Sequence, residues 1–260
     1  MRELFDEVAG QSPLDPRESV RQSTRPVQRK KFYAQASVDE TADGFVVLLD
    51  GKPIKTPSRK VVVIPSRVIA EIVAAEWHAQ QDVIDPMTMP MTRLANSVID
   101  GVIDRVDDVT DDIAKYFASD LLCYRAAHPQ ELVTREAQAW DGVLFWAADS
   151  LGARFILAEG IIHAAQPEQA LAAARAALPR EPWSVAGVHI VTTITGSALL
   201  ALALHHGARD ADQVWAAAHV DDDWNVEQWG IDEEVAARRA SRLIDFRAAA
   251  EVIAAMRVAS

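Results

Sequence analysis

The sequence has no glycine-rich phosphate loop: neither GxGxxG nor GxxxxGK[ST] occurs anywhere in its 260 residues. With only 11 Gly in the chain, a nucleotide cradle built from backbone N–H groups is not expected. Cysteine is nearly absent. Cys123 is the single one, which excludes an internal disulfide framework and a thiolate metal cluster and fits a reducing compartment. Flanked by Leu122 and Tyr124, it reads as core packing. No Ser sits in a GxSxG elbow, and His78 follows Glu76 without HExxH spacing. His205 and His206, with His219, form the one local His group, but adjacent helical side chains point about 100° apart and rarely share an ion. No cofactor and no metal are expected.

Basic charge is also scarce. A net charge of −12 excludes DNA or RNA as the main partner, because phosphate neutralisation needs clustered Lys and Arg. A basic protein surface is the natural complement. The N-terminus lacks an apolar signal stretch, and its Arg content is offset by Glu3, Asp6, Glu7, Asp15 and Glu18, which argues against a transit peptide. The uncharged run 183–207 is long enough to span a bilayer, yet it carries Ser, Thr and His, so a central helix of a soluble domain is expected rather than membrane insertion.

What is present is periodicity of two kinds. Residues 1–29 are polar, contain Pro13, Pro16 and Pro26, and read as a mobile arm. From 30 to 65 the pattern turns to β: 32–38, 45–50, 52–56 and 60–64 read as a small antiparallel sheet, with Asp50-Gly51 as a hairpin turn. Four short strands cannot close a core, so a helix or the second domain must cover one face. A helix capped by Ser66 and a linker through Asp85–Pro90 fill 66–90. There Met87, Met89 and Met91 either offer an adaptable contact surface or plug the join. Residues 91–260 read as helical: 92–103, 106–118, 129–151 (burying Trp140, Leu144, Phe145 and Trp146), 167–178, 183–205 and 211–219. Segments 119–125 and 154–163 stay undecided. The fold class is α+β, a small N-terminal antiparallel β domain followed by a larger all-helical C-terminal domain.

The stretch Val220–Phe246 stands out. Seven carboxylates in its first half and Arg238, Arg239 and Arg242 in its second complement the dipole of one long helix starting near Trp224, with Asp221–Asp223 as N-cap candidates. Projection places Trp224, Ile231, Val235, Phe246 and Ile253 on one stripe, together with Arg239 and Arg242, which then need a carboxylate from another helix. Glu233 faces solvent, and Glu227 and Glu234 share a flank. Trp229, beside Gly230, turns away from the stripe into unpaired carboxylates, which points to a contact surface.

The strings KFYAQASV, GFVVLLDGKPIKTPSRKVVVIPS, AAEWHAQ, IDPMTMPMTRLANSVID, SDLLCYR, WDGVLFWA, TGSALLALAL and EQWGIDEE, in this order, resemble the assembly chaperone of the ATP synthase alpha subunit over residues 30–246. The resemblance implies a protein without catalytic activity that binds the unassembled alpha subunit of the F-type enzyme. It also implies a β N-terminal and a helical C-terminal domain. The family's functionally important acid follows a Trp-Gly pair by three positions, which falls on Glu233. Mitochondrial-type members continue with an aromatic and a His-Asp pair, where this chain has Glu234, Val235 and Ala236. Glu233 from the resemblance, with Trp229, Glu227, Glu234, Asp223 and Met89 from the reading of the acidic stretch and the methionine loop, are the expected partner-binding residues. A bacterial cytoplasm is expected, or a mitochondrial matrix for a eukaryotic source, with a monomer favoured. Two other classes compete: a helical hydrolase or lyase pairing Asp120 with a carboxylate of the 221–234 cluster, and an acidic-helix adaptor for another basic partner.

Overall fold

The computed structural model describes residues 29–160 and 164–259, so the arm expected over 1–29 lies outside the described residues except for Arg29. β1 (Arg29–Lys30) pairs antiparallel with β6 (Val83–Ile84). The main sheet is antiparallel and four-stranded: β2 (Ala36–Thr41), β3 (Gly44–Leu49), β4 (Lys52–Pro53) and β5 (Val63–Ile64), with β3 at its centre. β2 and β3 pair from Ala36↔Leu49 to Thr41↔Gly44. Gly44 has φ 134°, and a Cβ there would stand 2.7 Å from the Ile64 carbonyl oxygen, so this turn requires glycine. Asp50-Gly51 makes the β3–β4 turn as expected. The predicted first strand starts late, because 31–35 peel off the sheet to place the buried Tyr33.

α1 (Arg67–Ala79) covers one face of the sheet, burying Ile69, Ala70, Val73 and Ala74 against the side of Val47, Leu49 and Ile64. Ser66 stands at its N-cap, although its hydroxyl makes no capping bond. The Glu76 carboxylate then caps the next helix, α2 (Pro90–Ser97), accepting from the Met91 and Thr92 N–H groups and the Thr92 hydroxyl at 2.7 Å each. One carboxylate thus ties the sheet-covering helix to the helical part, and the buried apolar cluster runs through both.

Beyond α2 the chain continues as a π-helical stretch (Val98–Val102) and a 3-10 turn (Ile103–Arg105), then α3 (Val106–Tyr116). The undecided 119–125 is a 3-10 turn, Leu121–Cys123, followed by β7 (Tyr124–Arg125). α4 (Gln130–Ser150) buries Trp140 fully, but Phe145 is 72% exposed, contrary to expectation. It lies five positions from Trp140, away from that buried face. β8 (Ala158–Glu159) pairs parallel with β7, and α5 (Glu168–Ala176) follows. No strand inside 91–151 or 183–256 exceeds two residues among the described residues, as the helical periodicity requires.

The single helix expected over 183–205 is two: α6 (Pro182–Thr195) and α7 (Ala198–His205). Gly196, in a left-handed conformation (φ 72°), ends α6, and Ser197 caps α7 by accepting from Leu200 N–H. Asp120 enforces the break. It is 0% exposed, and accepts from the Ser197 hydroxyl (2.6 Å), Leu199 N–H (3.0 Å) and Leu122 N–H (3.1 Å). α8 (Ala211–Ala218) opens with a capping box between Asp210 and Gln213. α9 (Val220–Trp229) and α10 (Glu233–Ala259) complete the chain, α10 packing mainly on α6.

Burial raises the Asp120 carboxyl to about 6 against the hydrogen bonds that favour its charge. Because the folded value lies above the unfolded one, the folded state holds the extra proton. Its contribution is complete below about pH 4 and declines as pH rises through about 6. Denaturant midpoints across that interval should fall for this reason, and Asp120→Asn should remove that part of the slope. Asp120→Ala strands three donors and should cost about 3 kcal/mol at neutral pH. A cost below about 0.5 kcal/mol, the range of exposed substitutions, would refute its place as the peg of α7.

Candidate functional site

The 220–246 stretch is a broken helix, not the continuous one its periodicity predicts. α9 starts at Val220, with His219 rather than an Asp at its N-cap, and ends at Gly230, whose φ of 87° and ψ of 176° suit only glycine. Asp232 then caps α10 from outside, its Oδ1 accepting from Glu234 N–H (2.9 Å) and Val235 N–H (3.1 Å). The interruption invalidates the single projection. Phe246 and Ile253 are buried, but Ile231 is 71% and Val235 49% exposed. Trp229 is 86% exposed, turned outward as predicted.

Trp229, Ile231 and Val235 border a cavity of about 390 Å³ at the break, lined also by Asp222, Asn225, Val226, Asp232 and Arg239. The carboxylates around it are less free than the sequence suggests. Arg135 Nη1, on α4, reaches both Glu227 oxygens at 2.8 and 2.7 Å, while its Nη2 meets Glu131 at 3.0 Å. The Arg135 hydrogen bond holds the Glu227 carboxyl below its usual range. The same guanidinium lies over the Trp224 ring at 4.9 Å. Asp223 pairs with Arg239, which supplies the carboxylate expected for that stripe Arg, and Glu234 pairs with Arg238 at 2.9 Å. Arg242 instead donates to the Thr193 and Ile194 carbonyls at the end of α6. Glu227 and Glu234 sit on different helices, so they share no flank. Glu233 is exposed and makes no ion pair or side-chain hydrogen bond among the described residues.

Met89 is 2% exposed, buried beneath the first turn of α2, whereas Met87 in the same loop is open to solvent. Met89 and Met91 fill the join between the sheet side and the helices, and the surface role considered for this loop falls to Met87.

Carboxylate-pair chemistry at Asp120 finds no support. Its lone pairs are occupied by Ser197, Leu199 and Leu122, away from solvent. The cluster's Asp221 lies beside Glu136 of α4 instead, where two carboxyls can hydrogen-bond only by sharing a proton. Burial is the first cause that raises both, and Asp221 Oδ1 is buried without a partner among the described residues. Glu136 also accepts from Ala126 N–H at 2.9 Å, so the pair joins α9 to α4 in the interior. Sequence reasoning passed over Glu136. Its signal was position, four and seven residues before the buried Trp140 and Val143 on one helical face. Burial, then the neighbouring Asp120 charge, pushes the Cys123 thiol up to about 12, so it is no nucleophile. Among the described residues no three His, Cys, Asp or Glu are grouped to hold a metal ion, and no helix is long and apolar enough to cross a membrane.

The chain resembles solved proteins along most of its length. The Atu1473 protein of Agrobacterium tumefaciens shares 45% identity at a TM-score of 0.85, over 94% of this chain and 92% of its own. Atp12 of Paracoccus denitrificans shares 36% identity at a TM-score of 0.81, over 86% of this chain and 97% of its own. The family model described as ATP12 chaperone protein matches residues 30–148, the sheet and the first helices, while the structural matches extend across the α9–α10 region. Sheet, helical body and sequence agree, and the chain belongs to the ATP12 family of ATP synthase assembly chaperones.

Proposed function

We propose that this chain binds the unassembled alpha subunit of F-type ATP synthase and shields it until it joins the soluble catalytic head. Binding, not turnover, is the activity, and a bacterial cytoplasm is its setting. One observation carries the reading: Trp229, Ile231 and Val235 stand exposed around the Gly230 break, with unpaired Glu233 at the start of α10. An exposed aromatic–aliphatic group beside a free carboxylate suits a client surface that is partly apolar and partly basic. Arg135 and Arg239 serve the site from behind. They clamp α9 through Glu227 and Asp223, so these two acids support the surface while Glu233 meets the client.

The purified protein should suppress aggregation of isolated alpha subunit at near-equimolar ratio. Glu233→Lys should leave the unfolding free energy within about 0.5 kcal/mol, as for other exposed substitutions. It should cost about 2 kcal/mol or more of binding, because a carboxylate desolvated against a client cation is lost. Asp43→Lys, in the β2–β3 turn, is the charge control. Glu234→Lys should act in the same direction as Glu233→Lys but less. A titration in which Glu233→Lys binds like the parent protein would reduce the acidic turn to a solvated helix end.

Gly230→Ala tests the break itself. A Cβ at this φ and ψ costs about 1–3 kcal/mol. Relieving it by rotating Trp229 and Ile231 out of register should lower both the melting temperature and client affinity. Trp229→Ala should lower affinity alone. If Gly230→Ala keeps full affinity, the geometry of the break is irrelevant to binding.

A further inference from the structure

A cationic feature of this acidic protein lies on the sheet side, away from the α9–α10 break. Two adjoining cavities, of about 450 and 560 Å³, share Arg29, Lys55, Trp77 and Ile84 as walls. The first is floored by Phe32, Leu49 and Ile54, and the second extends along the 56–59 turn to Met89 and Asn96. Together they form an open trough between β4 and the loop that precedes α2.

Its charge is one-sided. Arg29, Lys52, Lys55 and Arg59 line it, are exposed, and make no side-chain hydrogen bond or ion pair among the described residues. Arg93 lines it too, but is engaged by Asp245 and the Pro86 carbonyl. The one acid on the walls, Asp50, is occupied in accepting from the Ala34 and Gln35 N–H groups. Four unpaired cations in one trough, within a chain of net charge −12, are not explained by solubility.

The trough is also built. Arg59 sits at φ 65°, in the left-handed region where a non-glycine residue is strained. Its turn is held by Asp100, whose carboxylate accepts from the Thr56 hydroxyl (2.7 Å) and Ser58 N–H (3.2 Å). Asp100 projects from the π-helical Val98–Val102, itself an irregularity. On the opposite wall, Tyr33 donates to the Trp77 carbonyl at 2.6 Å and packs edge-on to its ring, which fixes the indole.

We propose that this trough is a second docking site, which takes an extended acidic segment of a partner protein. Carboxylates pair with Arg29, Lys52, Lys55 and Arg59, while apolar side chains rest on Phe32, Leu49 and Ile54. The apolar Phe32, Leu49 and Ile54 among the cations suit a polypeptide with apolar side chains rather than a bare phosphate backbone, and cavities of about 450 and 560 Å³ exceed what a single small anion fills. Charge complementarity therefore favours an acidic polypeptide. The site is independent of Glu233, so the two readings fail separately.

The test is a fluorescence-anisotropy titration of the full chain with a labelled peptide of alternating Leu and Glu. Comparators are a Leu/Lys peptide, a Ser/Glu peptide and competing inorganic phosphate. Saturable binding of the Leu/Glu peptide alone is expected. It should be weakened at least roughly tenfold by the exposed pair Lys55→Glu and Arg59→Glu, with an unchanged melting temperature, as loss of interfacial charge pairs does. Glu233→Lys should leave this binding intact. Trp77→Phe should remove the accompanying change in tryptophan emission. Equal binding of the Leu/Lys peptide, or full binding by the charge-reversed pair, overturns the proposal. So does complete displacement by phosphate, which would mean a free-anion site. Binding that appears only after removal of residues 1–28 would make the chain's own N-terminal segment the occupant and overturn it equally.

Discussion

The helical body depends on a buried carboxylate. Asp120 takes three donors at once and so fixes the start of α7 against the Leu121–Cys123 turn. A carboxylate so enclosed carries a desolvation cost, offset here because every bond it makes is to a group that would otherwise be stranded. The consequence is a reversal at Gly196 that lets α6 and α7, apolar on nearly every side, fill the centre together. α10 then packs on α6 at close range. A Cβ on Gly187 would stand 2.8 Å from the Ile253 side chain and 3.2 Å from the Ala249 carbonyl oxygen, so only glycine admits this approach.

That anchoring sets the mechanics of the site. The later turns of α10 bury Phe246, Ala249, Val252 and Ile253, while residues 231–238 are all exposed. The helix is therefore held at one end and free at the other, and its free end meets α9 across Gly230. α9 buries no residue of its own and relies on ties to α4: Arg135 to Glu227 and Trp224, and Asp221 to Glu136. The surface contacts of Arg135 are individually weak, but Glu131, Glu227 and the Trp224 ring converge on one guanidinium and restrict α9 more than isolated bridges would.

Much of this was legible in the sequence, and the failures share one cause. Alternation with Asp50-Gly51 located the sheet, and 3.6-residue periodicity located the helical part. Both long helices that proved to be pairs were broken at a glycine followed by a capping side chain, Gly196-Ser197 and Gly230 before Asp232. A periodic projection assumes continuity and cover: Ile231 lies in the break itself, and Val235 keeps its phase with Phe246 but sits on the first turns of α10, which nothing covers. The acidic cluster was visible because it is local. Its neutralisation was not, since Glu227 meets an Arg 92 positions away and Asp221 meets Glu136 through tertiary packing. Met89 was misplaced for a related reason: a loop methionine reads as exposed until the elements on either side close over it.

Pairing also narrows what the acidic stretch can do. Of the carboxylates from Asp221 to Glu234, Asp221, Asp223, Glu227 and Glu234 hold partners within the chain, and Asp232 spends an oxygen on its helix cap. Glu233 and Asp222 are left without a partner among the described residues, beside an apolar group of three side chains rather than a broad hydrophobic face. A chaperone that must hand its client on has reason to be built so. A large apolar surface would bind many proteins tightly and aggregate when empty, whereas a small patch gains selectivity from the charge beside it. Contact through a few residues also keeps the dissociation rate within reach of a competing subunit, since affinity among related complexes is set mainly by that rate. In the proposed role, the α9–α10 break, tied to the body on its α9 side through Arg135 and open on its α10 side, presents Trp229, Ile231 and Val235 as a contact small enough for transient protection.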